Sequence, residues 1–367
     1  MIIHPRDFAD LLLQGRPLMD VRAPVEFTRG AFPAAQNLPL LDDEQRHQVG
    51  LRYAEAGEEA AIALGIELAT PDIKQARLDA WAGFIEQHPE GALYCFRGGL
   101  RSRTTQEWLQ AEGLDYPLVK GGYKALRRFL LDQLQALIAQ GNIRTLAGPT
   151  GSGKTEVIHA WPHSIDLEGL ARHKGSAFGR EFVPQPSQID WEHALTIDWL
   201  RRRNNSSAPL LLEDESRLIG RIFLSPELQT LLQTAPEVRV QASLQERVQR
   251  LREDYVMTIV RHYQDTEPEH CWEQVATYIG DNLTRIRKRL GGARHQALLA
   301  SVPQAVAALR DHDDWSGFDD IIRSLLQDYY DPMYQYQLTR YQRPLAFTGT
   351  HDEVLAWLAE QDGALHA

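Results

Sequence analysis

Gly148-Pro149-Thr150-Gly151-Ser152-Gly153-Lys154-Thr155 fits the pattern G-x-x-x-x-G-K-[ST] at every fixed position, with an apolar run, Ile143 to Ala147, before it and a helix-like TEVIHAW after it. A loop of this kind needs a strand to enter it and a helix to leave it, so this part of the chain must be α/β. Backbone N–H groups of Gly148, Thr150, Gly151, Ser152 and Gly153 can wrap a diphosphate, Lys154 can neutralise its outer charge, and the Thr155 hydroxyl can hold Mg²⁺. The pattern identifies a diphosphate site; it does not by itself require ATP hydrolysis.

At 367 residues the chain has room for two domains at roughly 150 residues each. The residues divide accordingly into 1–135, an N-terminal α/β domain; 136–243, the phosphate-loop domain with a mostly parallel sheet; and 244–367, its continuation into a helical C-terminal region. Strand candidates recur at Ser164–Leu167, Pro209–Glu213 and Glu237–Ala242, separated by stretches long enough for crossover helices. Tyr123 to Gln140 places Leu126, Leu130, Leu134, Leu137 and Ile138 on one helical face and stops before Gly141-Asn142, the form of a helix joining two domains. Asn204-Asn205-Ser206-Ser207 has the composition of a short polar loop. Only Cys95 and Cys271 are present, too few for a disulfide framework, and no segment has the form of a signal peptide or membrane span. A reducing cytoplasm is the expected setting.

The second distinctive loop is Cys95-Phe96-Arg97-Gly98-Gly99-Leu100-Arg101-Ser102, between an apolar strand candidate, Ala92–Tyr94, and a helix-like TTQEWLQAEG. Glycines let backbone N–H groups turn inward and arginines add fixed charge, a setting that stabilises a thiolate or a bound oxyanion. Cys95, Arg97, Gly98, Gly99, Arg101 and Ser102 are therefore the candidate catalytic residues. Residues 1–130 resemble a rhodanese domain. The resemblance rests on Met19-Asp20-Val21-Arg22, Glu26-Phe27, Gly30-Ala31-Phe32-Pro33-Ala34-Ala35, Asn37-Leu38-Pro39 and the closing Val119-Lys120-Gly121-Gly122-Tyr123. One departure is that Arg101 lies six positions after Cys95, giving C-x5-R, where sulfur-transferring rhodaneses usually have the arginine at five. The longer loop is the pattern of dual-specificity phosphatases and arsenate reductases, and implies room for a larger atom or group than a sulfane sulfur.

The acidic residue that accompanies a phosphate loop ends a buried strand. Leu210-Leu211-Leu212-Glu213-Asp214-Glu215 supplies one, with Glu213 first in line and Asp214 the alternative. Downstream, Arg247 in the strand–loop–helix VRVQASLQERVQRL either approaches the phosphates or is a solvated helix residue.

A rhodanese-like unit fused to a phosphate-loop unit, together with Asp166-Leu167-Glu168-Gly169-Leu170-Ala171-Arg172-His173-Lys174-Gly175-Ser176-Ala177-Phe178-Gly179, Gln185-Pro186-Ser187-Gln188, Glu213-Asp214-Glu215-Ser216-Arg217 and Tyr329-Tyr330-Asp331-Pro332-Met333-Tyr334, is similar to the bacterial tRNA 2-selenouridine synthases over nearly the full length. That resemblance implies a transferase acting on 2-thiouridine at the wobble position of tRNAs for Lys, Glu and Gln. The sulfur is geranylated with geranyl diphosphate, and the S-geranyl group is then replaced by selenium from selenophosphate. It implies geranyl diphosphate and selenophosphate as co-substrates, Mg²⁺ at the phosphate loop, no requirement for ATP, and an enzyme that supplies selenophosphate as a partner. Cys95 would serve the selenium step, as carrier or in assisting attack at C2. Glu168, Arg172, His173, Gly175, Ser176 and Gly179 would form the substrate end of the phosphate-loop site. Gln185 and Gln188 would either read a base edge or make ordinary loop hydrogen bonds.

A net charge of −11 taken alone argues against a polyanion partner. Its distribution does not: residues 301–367 carry −7, whereas 199–300 carry +2 and hold Arg201-Arg202-Arg203 and the segment with Arg285, Arg287, Lys288, Arg289 and Arg294. These arginines are the candidate tRNA contacts. Two other readings fit the same residues. One is a rhodanese- or phosphatase-type enzyme fused to a small-molecule kinase; the other is a nucleotide-gated tRNA-binding module without catalysis.

Overall fold

The computed structural model describes residues 1–176, 178–179, 182–341 and 343–366, with side chains to Asp362. The chain forms two compact units, Met1–Ala139 with Pro186–Asn204, and Gln140–Gln185 with Asn205–Ala367.

The first unit is built on five parallel strands, β1 (Ile2–Ile3), β2 (Leu18–Asp20), β3 (Ala35–Asn37), β4 (Ala92–Tyr94) and β5 (Leu118–Val119), in the order β1-β5-β4-β2-β3. Every residue of β2 and β4 is buried, as a parallel sheet covered on both faces requires. Strand alternation sends Leu18, Ala92 and Tyr94 to one apolar cluster, while Met19, Leu93 and Cys95 join the other with Trp81 and Phe84. The rhodanese-like opening signature has a structural job. Arg22 and Asp20 are both buried and paired, Arg22 Nη2 to Asp20 Oδ2 at 2.6 Å, with further Arg22 bonds to the carbonyls of Glu26 and Gly30.

The helix Gln188–Asn205, numbered within the stretch 136–243, groups with this first unit. Ile197 joins the cluster of Leu12 and Leu130, Asp190 Oδ1 accepts from the Ala31 N–H at 2.7 Å, and the buried His193 donates from Nδ1 to the Ala31 carbonyl at 2.7 Å. Asn204 and Asn205, expected in a polar loop, complete the last turn of this helix.

The second unit carries β6 (Ile143–Ala147), β7 (Ser164–Ile165), β8 (Leu210–Glu213), a hairpin of β9 (Leu218–Ile219) and β10 (Ile222–Phe223), β11 (Glu237–Val240) and β12 (Leu345–Gly349). Its main sheet is parallel throughout, ordered β12-β11-β6-β8-β7. The chain leaves β6 toward one edge and later returns to the other side of it, so the strand order reverses beside the carboxyl end of β6, where ligands of open α/β sheets bind. The stretch after Leu244 is helical, as expected, until β12 returns it to the sheet edge. Its helices close around a second core that includes Val275, Leu283, Phe318 and Tyr330. No described helix is long and apolar enough to cross a membrane.

Candidate functional sites: a cysteine loop and a phosphate loop

Cys95 leaves the end of β4 buried, 2% exposed, and its Sγ donates to Ser102 Oγ at 3.2 Å; Ser102 Oγ in turn donates to the Gly99 carbonyl at 3.0 Å. Gly98 takes a left-handed φ of +64°, which turns the loop, and the helix Leu100–Ala111 follows. The closing element Lys120 to Tyr123 forms the loop's wall. Tyr123 and Lys124 N–H groups donate to the Cys95 and Phe96 carbonyls, both at 2.9 Å, and a Cβ on Gly122 would stand 2.2 Å from the Cys95 oxygen. Gly122 is thus fixed by close approach as well as by its φ of +58°.

Arg101 sits near enough to Cys95 to feel the charge of a thiolate, yet its two terminal nitrogens donate to Glu26 at 2.5 and 3.1 Å. Burial would raise the Glu26 carboxyl; the Arg101 bonds and charge overcome this and hold it below the usual carboxylate range. The arginine that a C-x5-R phosphatase reading would aim at a phosphoryl group is therefore bonded to a carboxylate. Glu26 is a residue of this site that the signature contained but spacing did not connect to Arg101. Arg97 is exposed, over the Phe96 ring.

In the second unit the phosphate loop leaves β6. Gly151 and Gly153 take φ of +78° and +92°, and Lys154 Nζ donates to the Gly148 carbonyl at 2.9 Å. Ser152 is buried beneath the loop and Thr155 is exposed. Arg247, weighed above as a phosphate ligand or a solvated residue, is neither. It is buried, donates from Nε to the Thr150 carbonyl at 2.8 Å, and is gripped through both terminal nitrogens by Asp331. The Tyr-Tyr-Asp-Pro-Met-Tyr motif thereby braces the phosphate loop, and its Tyr329 and Tyr330 belong to the helical core. Arg250, absent from the sequence-based candidates, bonds Glu156 and the Gly151 carbonyl.

Three carboxylates gather beside Lys154. Glu213, fully buried at the end of β8, accepts the Glu168 N–H at 3.1 Å, and the Glu168 and Glu215 carboxyls are hydrogen-bonded to each other. Burial, and then the neighbouring Glu168, push Glu213 and Glu215 well above the usual carboxylate range, the positive Lys154 only partly opposing it. Asp214, the alternative to Glu213, is committed elsewhere: it accepts from Arg343 at 2.7 Å.

The segment from Arg172 to Gly179 folds against this cluster. Gly175, at φ +40°, would place a Cβ 2.3 Å from Glu168 Oε1, so only glycine fits. Lys174 pairs with Asp254 at 2.5 Å, and Ser176 Oγ accepts from the Tyr255 hydroxyl at 2.9 Å. Arg172 is exposed and reaches the Pro184 carbonyl, while His173 is buried against Gly220. Ala177 lies outside the described residues. Gln185 is a loop tie: its amide donates to the Ala171 and Ile219 carbonyls, both at 3.0 Å, and its oxygen accepts from the Arg221 N–H. Gln188 belongs to the first unit, donating to Glu192 at 3.0 Å.

Among the arginines expected to meet nucleic acid, Arg201 is instead bonded to the Leu12 and Leu13 carbonyls and Arg202 to Asp198, where they fasten the helix Gln188–Asn205. Arg203 lies on the same helix, half-buried. Arg285, Arg287, Lys288, Arg289 and Arg294 are exposed on the helical region, with Arg285 bonded to Asn282 and Arg294 3.6 Å from Asp328.

A cysteine loop walled by a glycine pair on one parallel sheet, and a glycine-rich phosphate loop at the strand-order reversal of another, define a rhodanese-like unit fused to a P-loop unit with kinase-like strand order. Residues 141–364 match the family described as tRNA 2-selenouridine synthase AAA domain. Over nearly its whole length the chain is similar to curated tRNA 2-selenouridine synthases: 48% identical to that of Marinobacter nauticus, covering 96% of each chain, 47% to that of Cupriavidus pinatubonensis, covering 97% and 98%, and 46% to that of Alcanivorax borkumensis, covering 96% and 98%. The chain belongs to the tRNA 2-selenouridine synthase family.

Proposed function

We propose that this protein converts 2-thiouridine at the wobble position of tRNAs for Lys, Glu and Gln to 2-selenouridine in two transfers served by different loops. The phosphate loop holds geranyl diphosphate. The uridine sulfur attacks the carbon bearing the diphosphate, an S–C bond forms as the C–O bond breaks, and pyrophosphate leaves with its charge met by Lys154 and the loop N–H groups. Thr155, an exposed hydroxyl oxygen next to Lys154, is a hard ligand of the kind Mg²⁺ takes, and a bound Mg²⁺ would neutralise charge on departing pyrophosphate. No ATP is consumed. S-geranylation makes the sulfur a better leaving group, and selenium from selenophosphate replaces it at C2, a step served by Cys95 in its glycine-walled loop. A selenophosphate-supplying enzyme is the partner this step requires. The exposed Arg285–Arg294 segment holds the tRNA backbone.

The observation that carries this reading is the presence, in one chain, of a complete phosphate loop ringed by carboxylates and a buried cysteine loop whose arginine is already neutralised by Glu26. Incubation of the pure protein with 2-thiouridine tRNA and geranyl diphosphate, without ATP, tests it. Mass spectrometry of digested nucleosides should find S-geranyl-2-thiouridine, and 2-selenouridine once selenophosphate is added; neither product would overturn it. Release of phosphate from small phosphomonoesters would favour the phosphatase reading.

A further inference from the structure

The carboxyl cluster beside Lys154 contains more acid than charge neutralisation of a phosphate loop calls for. A hydrogen bond between the carboxyls of Glu168 and Glu215 needs one shared proton, so the two together hold one negative charge and one vacancy for a proton. The pair is faced by Lys154, Asp166, Lys174, Glu213 and the Tyr255 hydroxyl. Gly175, which admits no Cβ, brings backbone against both carboxyls, Glu168 Oε1 and Glu215 Oε1 standing 2.3 and 3.3 Å from where that Cβ would be. Glu213 is fully buried among them, yet its Oε1 has no hydrogen-bond partner, a polar atom left directed at whatever the cluster receives. That arrangement suits a proton acceptor working next to a bound diphosphate.

We propose that the Glu168–Glu215 carboxyl pair is the base of the geranyl transfer, taking the N3 proton of 2-thiouridine as its sulfur attacks. The assignment rests on the transfer reading above. Electrons balance without a further reactant: the N3–H pair becomes the N3=C2 double bond, the C2=S pair forms the new S–C bond, and the C–O pair departs with pyrophosphate. The proton completes the second carboxyl of the pair, which passes it to water on product release. The pair, rather than a lone carboxylate, suits a proton taken at neutral pH because burial and the shared proton raise its affinity toward that of the nucleoside.

Single-turnover geranylation by the full-length protein, followed against pH for wild type, Glu168→Gln, Glu215→Gln and Glu215→Asp, tests the assignment. Wild type should rise along an acid limb to a plateau. Both Gln variants should lose about 100-fold at the plateau and lose the limb, while geranyl diphosphate binding is retained. Glu215→Asp should keep the limb with a displaced midpoint, and decides the matter where a Gln variant does not fold. Gln variants with a wild-type profile, an unmoved midpoint in Glu215→Asp, or recovery of the Gln variants by added Mg²⁺ with the limb intact would each overturn it. A wild-type protein that transfers no geranyl group would overturn the underlying transfer reading as well, and is distinguished by failing before any variant is compared.

Discussion

Arg247 reaches into the phosphate loop and donates to the Thr150 carbonyl at 2.8 Å, while Asp331, remote in sequence, holds its other two nitrogens. The loop's shape thus depends on a residue pair outside the motif. Removing the guanidinium leaves the Asp331 carboxylate without its partner and a loop carbonyl without its donor.

Arg247→Ala should therefore weaken geranyl diphosphate binding by at least tenfold and destabilise the second unit by roughly 3 kcal/mol. Calorimetric titration with geranyl diphosphate and urea unfolding read the two effects. Arg247→Lys should recover charge but not the three-way geometry, and so remain weak in binding.

Glu26 and Arg101 carry a pH dependence. The folded-state pKa of Glu26 is lowered, so the pair contributes stability above the ordinary carboxylate range and loses it as pH falls through the lowered value. Arg101→Ala should flatten the acid end of the stability profile. It should also impair selenation more than geranylation, which nucleoside analysis after single-step incubations resolves.

His193 works in the same direction at higher pH. Burial lowers its pKa to about 4, so it remains neutral in the folded unit while the unfolded chain protonates near 6.5. Stability is complete above 6.5 and falls as pH drops toward 4, by up to about 3 kcal/mol. Thermal unfolding from pH 7 to pH 4 should register this loss in wild type, and His193→Gln, less stable at pH 7, should lack that portion of the slope.

Both loops and the central strands were legible because each is written locally: Leu210–Glu213 and Ala92–Tyr94 are continuous apolar runs, and the glycine spacings of 95–102 and 148–155 specify loop shape directly. Local signals do not report distant partners. Arg247 could not be read correctly without Asp331, nor Arg101 without Glu26, nor Gln185 without the β9–β10 hairpin residues it ties. The strand β12 was hidden because it is a short edge strand with mostly exposed side chains, lacking the apolar run that marks β8. The helix Gln188–Asn205 has an evident buried face, but a pattern of Trp191, Leu195, Ile197 and Trp199 says that a face is covered, not which unit covers it.

The division of labour between the two loops is tested most directly by nucleoside mass spectrometry of 2-thiouridine tRNA incubated with geranyl diphosphate and selenophosphate in the presence of Lys154→Ala or Cys95→Ala protein. Lys154→Ala should yield no S-geranyl product, whereas Cys95→Ala should accumulate S-geranyl-2-thiouridine and form no 2-selenouridine. Loss of only the same step in both variants would contradict the two-loop account.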